Sequence, residues 1–426
     1  MSEKISRPAS PFVTRVRVRD FRSIAECDVR LEPLTILAGF NAAGKSNFLD
    51  AIRFVRDALV LSPSRAVAKR GSLGSLLRKA ESTGGEASSF LIGLDLSFGP
   101  GQGEATYEIQ IGRNPESKRS VLVVAESLQL TVQEVHAQYS VGQVGGARER
   151  EVRGDGLPGA RLDPDELLLP IVGRLSPYDT LLRALASMRF YDLDTDVLRE
   201  LDDTRVSQTQ LGERGEHLGQ ILGLLSDRHS EVKESVDGWL RWLIPSLLGV
   251  DRRMQGDYAT IQARFWSGDP VVPFWEAVNS GDVHAGDPSV QVFQREQLSE
   301  GTVRGAGVLA ALNQPDALTG GISLVAIEEP ELAIHPAKVS GLLAAMEEAS
   351  QWTQVIATTQ SSDLLSAEEI EPSSLRIVEM VDGVSRIGEL SDKMLLALRK
   401  NPSYLADYHR HGQLRPADDA HGENRE

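Results

Sequence analysis

The stretch "GFNAAGKS", residues 39 to 46, carries the residue types and spacing of a phosphate-binding loop. In such a loop Gly39 and Gly44 let the backbone turn its amides inward, Lys45 reaches the outer phosphates of a nucleoside triphosphate, and the Ser46 hydroxyl reaches Mg²⁺. A helix starting there adds its positive end to the same anion. A second element must bring a carboxylate to that metal, and "ISLVAIEEPE" (322–331) is an apolar run ending in acids. Glu328 is then the metal residue, acting directly or through water, while Glu329, next along and pointing differently, polarises the attacking water. Alone, the pair would be a solvated strand end; coupled to a phosphate loop, it reads as a hydrolase site. Between the two lies "QLSEGTVRG" (297–305), where Ser299 or Thr302 can cap an Ala-rich helix. A serine hydroxyl and the Gly301 amide at a helix start also form a second anion site.

The elements around these residues follow from hydrophobic periodicity. "FVTRVRVRDF" (12–21) alternates as a half-exposed strand, and "PLTILAGF" (33–40) is a fully apolar strand running into the loop. A helix is expected from about Gly44 to Leu61, with Phe48, Ile52 and Val55 at helical spacing. Strand patterns follow in "SFLIGLDLSF", "ATYEIQI" and "SVLVVAESLQLTV", then a loop by composition over 141–165 and a helical pattern over 170–247. The last third reads helix (302–312), strand (322–328), helix (336–350), strand (353–358) and a strand pair near 374–389, which is α/β order. The expected organisation is an N-terminal lobe with the phosphate loop (1–140), a mixed loop, helical and β insertion (141–285), a C-terminal lobe (286–410) and a polar tail (411–426). No sustained heptads predict a coiled coil. Trp239 and Trp242, at helical spacing among apolar neighbours, are expected in the core.

The 426 residues, 41% hydrophobic and 25% charged, suit a large globular chain. No run reaches the 18 or so apolar residues of a membrane helix, and "MSEKISRPASPF" lacks a signal-peptide core, so a cytoplasmic protein with no membrane partner is expected. One cysteine, Cys27, excludes an intrachain disulfide, and a Cys/His metal site is not expected. The net charge of −16 argues against coating nucleic acid over the whole surface, although a local basic stripe remains compatible with it.

Five stretches together, "VRDFRSI", "PLTILAGFNAAGKSNFLDAIRF", "LSEGTVRGAGVLAAL", "LVAIEEPELAIHP" and "TQVIATTQSSDLL", resemble the ABC-type ATPases of the RecF, structural-maintenance-of-chromosomes (SMC) and overcoming-lysogenization-defect branch. Within it the chain is most similar to the bacterial predicted AAA-type ATPases. The resemblance implies a P-loop ATPase head of α/β class with ATP and Mg²⁺ as cofactors. It also implies a homodimer sandwiching two ATP molecules, in which Ser299 and Gly301 face the γ-phosphate held by the partner's Lys45. Arg22, in "DFRSI", is implied near the nucleotide, and Asn41 and Asn47 are implied to shape the loop. Relatives end the strand after the acidic one in a switch histidine; here "TTQS" puts Gln360 in its place. Glutamine donates and accepts hydrogen bonds but carries no proton, so slower hydrolysis is expected. The family's Q-loop glutamine is not identifiable between Ser46 and Gln102.

Two functions follow. One is an ATP-driven clamp on nucleic acid, double-stranded DNA in repair or antiphage defence, as in the branch generally; the basic residues of "RVRVRDFR" and "RFVRDALVLSPSRAVAKRGSLGSLLRKA" would bind phosphates, or else simply be solvated. The other is a nucleotide-gated switch with slow turnover that controls a separate effector such as a nuclease. A transporter subunit is excluded by the long stretch between Ser46 and Ser299, and a P-loop kinase needs no "LSEGT".

Overall fold

The computed structural model describes residues 12–80, 85–99, 101–114, 117–143, 150–154, 162–267, 289–366, 370–400 and 404–417. Residues 268–285 of the expected insertion and 418–426 of the expected tail lie outside them.

Two sheets grip one helix. The first is a seven-stranded antiparallel sheet running, edge to edge, Arg150–Gly154, Val135–Gln143, Ser117–Val132, Gly103–Asn114, Ser89–Ser97, Phe12–Phe21 and Ile24–Arg30. The second has six strands in the order Arg189–Tyr191, Leu324–Glu328, Gln354–Thr359, Leu34–Ala38, Leu375–Val381 and Val384–Gly388. Its first five strands run parallel and only the last turns back. The phosphate-loop strand Leu34–Ala38 thus sits between strands from the C-terminal third, and segments distant in sequence share one sheet.

That sheet is covered on both faces, which is why its strands read as apolar runs rather than as alternation. Leu37, Ala326 and Ile356 pack against the helix Lys45–Val60 and the antiparallel sheet. Their neighbours Ile36, Val325 and Val355 face the opposite core, built with the helices Leu218–Arg228, Ser230–Leu243, Glu300–Asn313 and Val339–Ala349. The helix Lys45–Val60 buries Phe48, Ile52, Phe54 and Val55 fully. Each such side chain contributes about 1.5–3 kcal/mol, enough to fix the helix start against the sheet. Gln354 joins the two sheets: its side-chain oxygen accepts from Val13 N at 2.9 Å, and its amide donates to Val13 O at 2.8 Å. Glu126, fully buried, anchors the segment after the antiparallel sheet by accepting from Tyr107, Tyr139 and the amides of Leu168 and Leu169. Cys27 is buried in the core.

Four expectations change. Within the expected loop 141–165, Arg150–Gly154 pairs antiparallel with Val135–Gln143 as an edge strand. Its charged composition hid it, and charge is how an exposed edge is protected from further pairing. Within the expected helical stretch 170–247, Arg189–Tyr191 is a strand of the parallel sheet, too short to show a period. Trp242 is exposed, with the Lys338 ammonium 4.0 Å from its ring centroid, while Trp239 is half-buried and donates to Glu348. An ammonium over an indole face is an alternative to burial for this side chain. Residues 411–417 pack on the body: Leu414 is buried, and Ala417 N donates to Glu389 O. Among the described residues the longest helix is Lys45–Val60, and no helix is long and apolar enough to cross a membrane.

Candidate nucleotide site

The phosphate loop is built as its glycines require. A Cβ on Gly39 would lie 2.2 Å from Val378 O, and Gly44 combines φ of 109° with a Cβ position 2.0 Å from Ser385 Oγ. No other residue fits either position. The helix Lys45–Val60 opens with no side-chain cap and no acid in its first turn, so its positive end faces outward uncompensated. Lys45 is buried and folded back on the loop, donating to Gly39 O at 2.8 Å and Phe40 O at 3.0 Å. Burial lowers its pKa, and the charges of Glu329, Glu331 and Glu328 oppose that shift. An anion binding here would take over the donors that now satisfy the loop's own carbonyls.

The sheet register delivers the acids. Ile327 pairs with Ala357, Glu328 with Thr358 and Thr359 with Ala38, so the acidic strand, the switch strand and the loop end at one level. There Ser46 Oγ donates to Glu328 Oε2, which joins the two groups expected to hold the metal. A hydroxyl and a carboxylate are hard oxygen ligands of the kind Mg²⁺ takes. Among the described residues no cluster of three or more His, Cys, Asp or Glu could hold a metal ion. Burial raises the Glu328 pKa; the Ser46 hydrogen bond opposes the rise and the charge of Asp192 adds to it.

Glu329 and Gln360 also meet: Gln360 Nε2 donates to Glu329 Oε2 at 2.9 Å. Glu329 takes a left-handed backbone with φ of 45°, a conformation that costs a non-glycine residue on the order of 1 kcal/mol or more. Its amide is held by Thr358 O and Oγ1, both at 3.2 Å, and its carbonyl accepts from Arg304 at 3.2 Å. The switch stretch is therefore held to touch the second acid.

Ser299 caps the helix Glu300–Asn313, accepting from Thr302 N at 3.2 Å, so the plain capping role is filled. Gly301 lies where a Cβ would sit 2.4 Å from Ala333 O, in the turn after the acidic strand. Among the described residues no hydrogen bond joins Ser299 or Gly301 to Lys45, Ser46 or Glu328. Arg22 pairs with Asp50 at 2.6 Å and reaches Asn47 Oδ1 at 3.5 Å, while Asn47 donates to Ser23 Oγ at 2.6 Å. These contacts clamp the "FRS" turn to the first turns of the loop helix. Asn41 is exposed at the loop tip. His335 accepts from Ala337 N and caps its own turn.

Several residues escaped sequence reasoning. Arg304, buried, bridges Leu193 O and Glu329 O, and so ties the signature helix to the acid of its own chain. Its place one turn into the signature helix was the available signal. Asp192 follows a strand whose Tyr191 pairs with Ile327, which sets it beside Glu328. Ser385 donates to Ala43 O from the last strand and backs the loop. Glu331 is buried with its pKa raised by burial, and it accepts from Thr359.

A family model described as "AAA domain, putative AbiEii toxin, Type IV TA system" matches residues 34–366. No curated protein matches the chain. Among solved structures, the SMC head bound to the C-winged helix domain of ScpA superposes with a TM-score of 0.50 at 13% identity, covering 91% of this chain and 99% of that one. The SMC head domain from Thermotoga maritima gives 0.42 at 14% identity, over 89% and 99%. The Pyrococcus furiosus SMC head with an extended coiled coil, bound to the C-terminal domain of ScpA, gives 0.48 at 12%, over 92% and 99%. The first of these shows a shared fold, the ABC-type P-loop head.

Proposed function

The chain belongs to the AAA-domain family described with putative AbiEii toxins of type IV toxin–antitoxin systems, and from that premise we propose that it binds ATP with Mg²⁺ and hydrolyses it as a homodimer closed around two nucleotides. The observation that carries this reading is the convergence of Ser46 on Glu328 and of Gln360 on Glu329 at the ends of two adjacent strands. The loop amides and Lys45 hold the phosphates. Ser46 and Glu328 would hold Mg²⁺, which would supply charge neutralisation on the phosphate oxygens. Glu329 accepts a hydrogen bond from the attacking water, and Gln360, donor and acceptor at once, orients it. Lys45→Ala is expected to abolish binding of a fluorescent ATP analogue; retained affinity would refute the assignment.

The dimer is supported by the exposure of Ser299 at the start of the signature helix, beside the half-buried Gly301. A second copy can bring them to Lys45 of the first. Glu329→Gln with ATP should run as a dimer in light scattering, and a monomer under those conditions would contradict it.

For the target, the branch as a whole favours DNA in repair or antiphage defence. One observation favours the second reading, a switch that controls a separate effector. Many basic residues of these stretches are paired: Arg15 with Asp28, Arg17 with Asp95, Arg19 with Glu26, Arg22 and Arg70 with Asp50, and Arg53 and Arg56 with Glu213. Paired guanidinium groups have less to offer a phosphate backbone. DNA affinity with a steep salt dependence would restore the clamp; ATP-dependent dimerisation without DNA affinity supports the switch.

A further inference from the structure

We propose that His409, carried by the C-terminal helix Tyr404–Arg410, is a further phosphate-facing residue of this site, locking the switch stretch to the phosphate loop and offering its Nε2 hydrogen to the terminal phosphate of ATP. The inference rests on the nucleotide reading above and deepens it. His409 is 2% exposed. Its Nδ1 lies 2.8 Å from Ser362 Oγ, two residues beyond Gln360. Its ring stacks on that of Phe40, the second residue of the phosphate loop, with centroids 5.0 Å apart and planes at 26°. Phe40 is 53% exposed at the loop surface.

The other ring nitrogen is the informative one. Nε2 is buried and has no hydrogen-bond partner among the described residues. The Ser362 hydroxyl can donate to Nδ1, and in that tautomer the proton of the neutral ring lies on Nε2, a donor without an acceptor. Burial, then the charges of Lys45 and Arg410, lower the pKa of the ring and favour that neutral form. A buried N–H beside two cations is complemented by an anion, and the adjoining loop is built to hold one. His409 also lines a cavity of about 200 Å³ that Gly39, Phe40 and Asn41 border on the loop side and Val378, Met380 and Leu414 on the other. Gln360 stands at the strand tip where relatives carry histidine; a histidine from another element, bonded to the same stretch, supplies the missing imidazole. It lies on a separate helix far along the chain, outside every motif.

The test compares affinities of the full chain for ATPγS and ADP, which reads the terminal phosphate without requiring turnover. His409→Asn places an amide where Nδ1 was and removes the Nε2 donor; His409→Gln carries its amide to the Nε2 position. The preference for ATPγS over ADP should fall roughly ten-fold or more in His409→Asn and persist in His409→Gln, the range expected for a hydrogen bond to a charged acceptor. ADP affinity should hold within about two-fold in both, which also reports an intact fold. Adding Gln360→His to His409→Asn should restore the preference. An unchanged preference in His409→Asn overturns the inference and leaves the ATPase reading standing. Loss of ADP affinity in both variants also overturns it, since the ring would then only pack the loop. A wild-type chain that binds neither nucleotide removes the underlying reading and this inference with it.

Discussion

Gln360 donates to the Glu329 carboxylate across 2.9 Å, joining the tip of one parallel strand to the residue that follows its neighbour. The contact gives the acid a fixed orientation without adding positive charge. Glu329→Gln is therefore expected to keep ATP binding and to lower kcat by roughly 10²–10⁴-fold, the range for loss of a general base. Gln360→Ala should lower kcat by less, with KM little changed, because the base survives and only its alignment is lost. Steady-state kinetics of the two variants check the order; a larger loss in Gln360→Ala would reverse the roles.

Arg304 supplies a second restraint on the same acid, through the Glu329 carbonyl. Arg304→Ala leaves the buried carbonyl of Leu193 and the part-buried carbonyl of Glu329 without this donor, at a cost of about 1–3 kcal/mol for the buried one. The expected outcome is a lower melting temperature and reduced turnover with nucleotide affinity preserved, since Lys45 and the loop are untouched. Thermal melting and nucleotide titration on one preparation separate these effects.

Glu213 makes the fold sensitive to acid. Burial alone would raise its pKa, but the hydrogen bond from Arg56 and the charges of Arg53, Arg56 and Lys69 hold it down, from 4.5 to about 2. A depressed folded-state pKa gives stability that is present above the unfolded value and is lost as pH falls through the folded one. The loss should therefore run from about pH 4.5 towards pH 2. Glu213→Gln should flatten the melting temperature against pH across that window and lower it at neutral pH. A variant curve parallel to that of the wild type would show that the cluster adds no such stability.

The parts of the site that were legible in sequence are those whose chemistry demands fixed spacing. Gly39, Gly44, Lys45 and Ser46 must follow one another for a loop to cradle phosphates, and Glu328 must end an apolar strand to reach Ser46. The central strands were legible because burial on both faces leaves uninterrupted apolar runs. What escaped has no local signature. Arg189–Tyr191 joins the sheet through three residues, and Asp192 gains its place beside Glu328 only by parallel register. Arg304 and His409 act through single long-range contacts, to Glu329 and Ser362, that no window of sequence contains. Trp242 was misread because helical spacing does not distinguish a core indole from one covered by Lys338.

Glu329, Gln360 and the phosphate loop are expected to turn over ATP. The direct measurement is phosphate release by the purified chain with Mg²⁺ and ATP, with and without duplex DNA, against Glu329→Gln as the blank. Release above the blank, lost when Mg²⁺ is chelated, is the expected result; acceleration by DNA would assign the clamp, and indifference to DNA the switch. Release equal to the blank in a chain that binds ATP would contradict hydrolysis at Glu329.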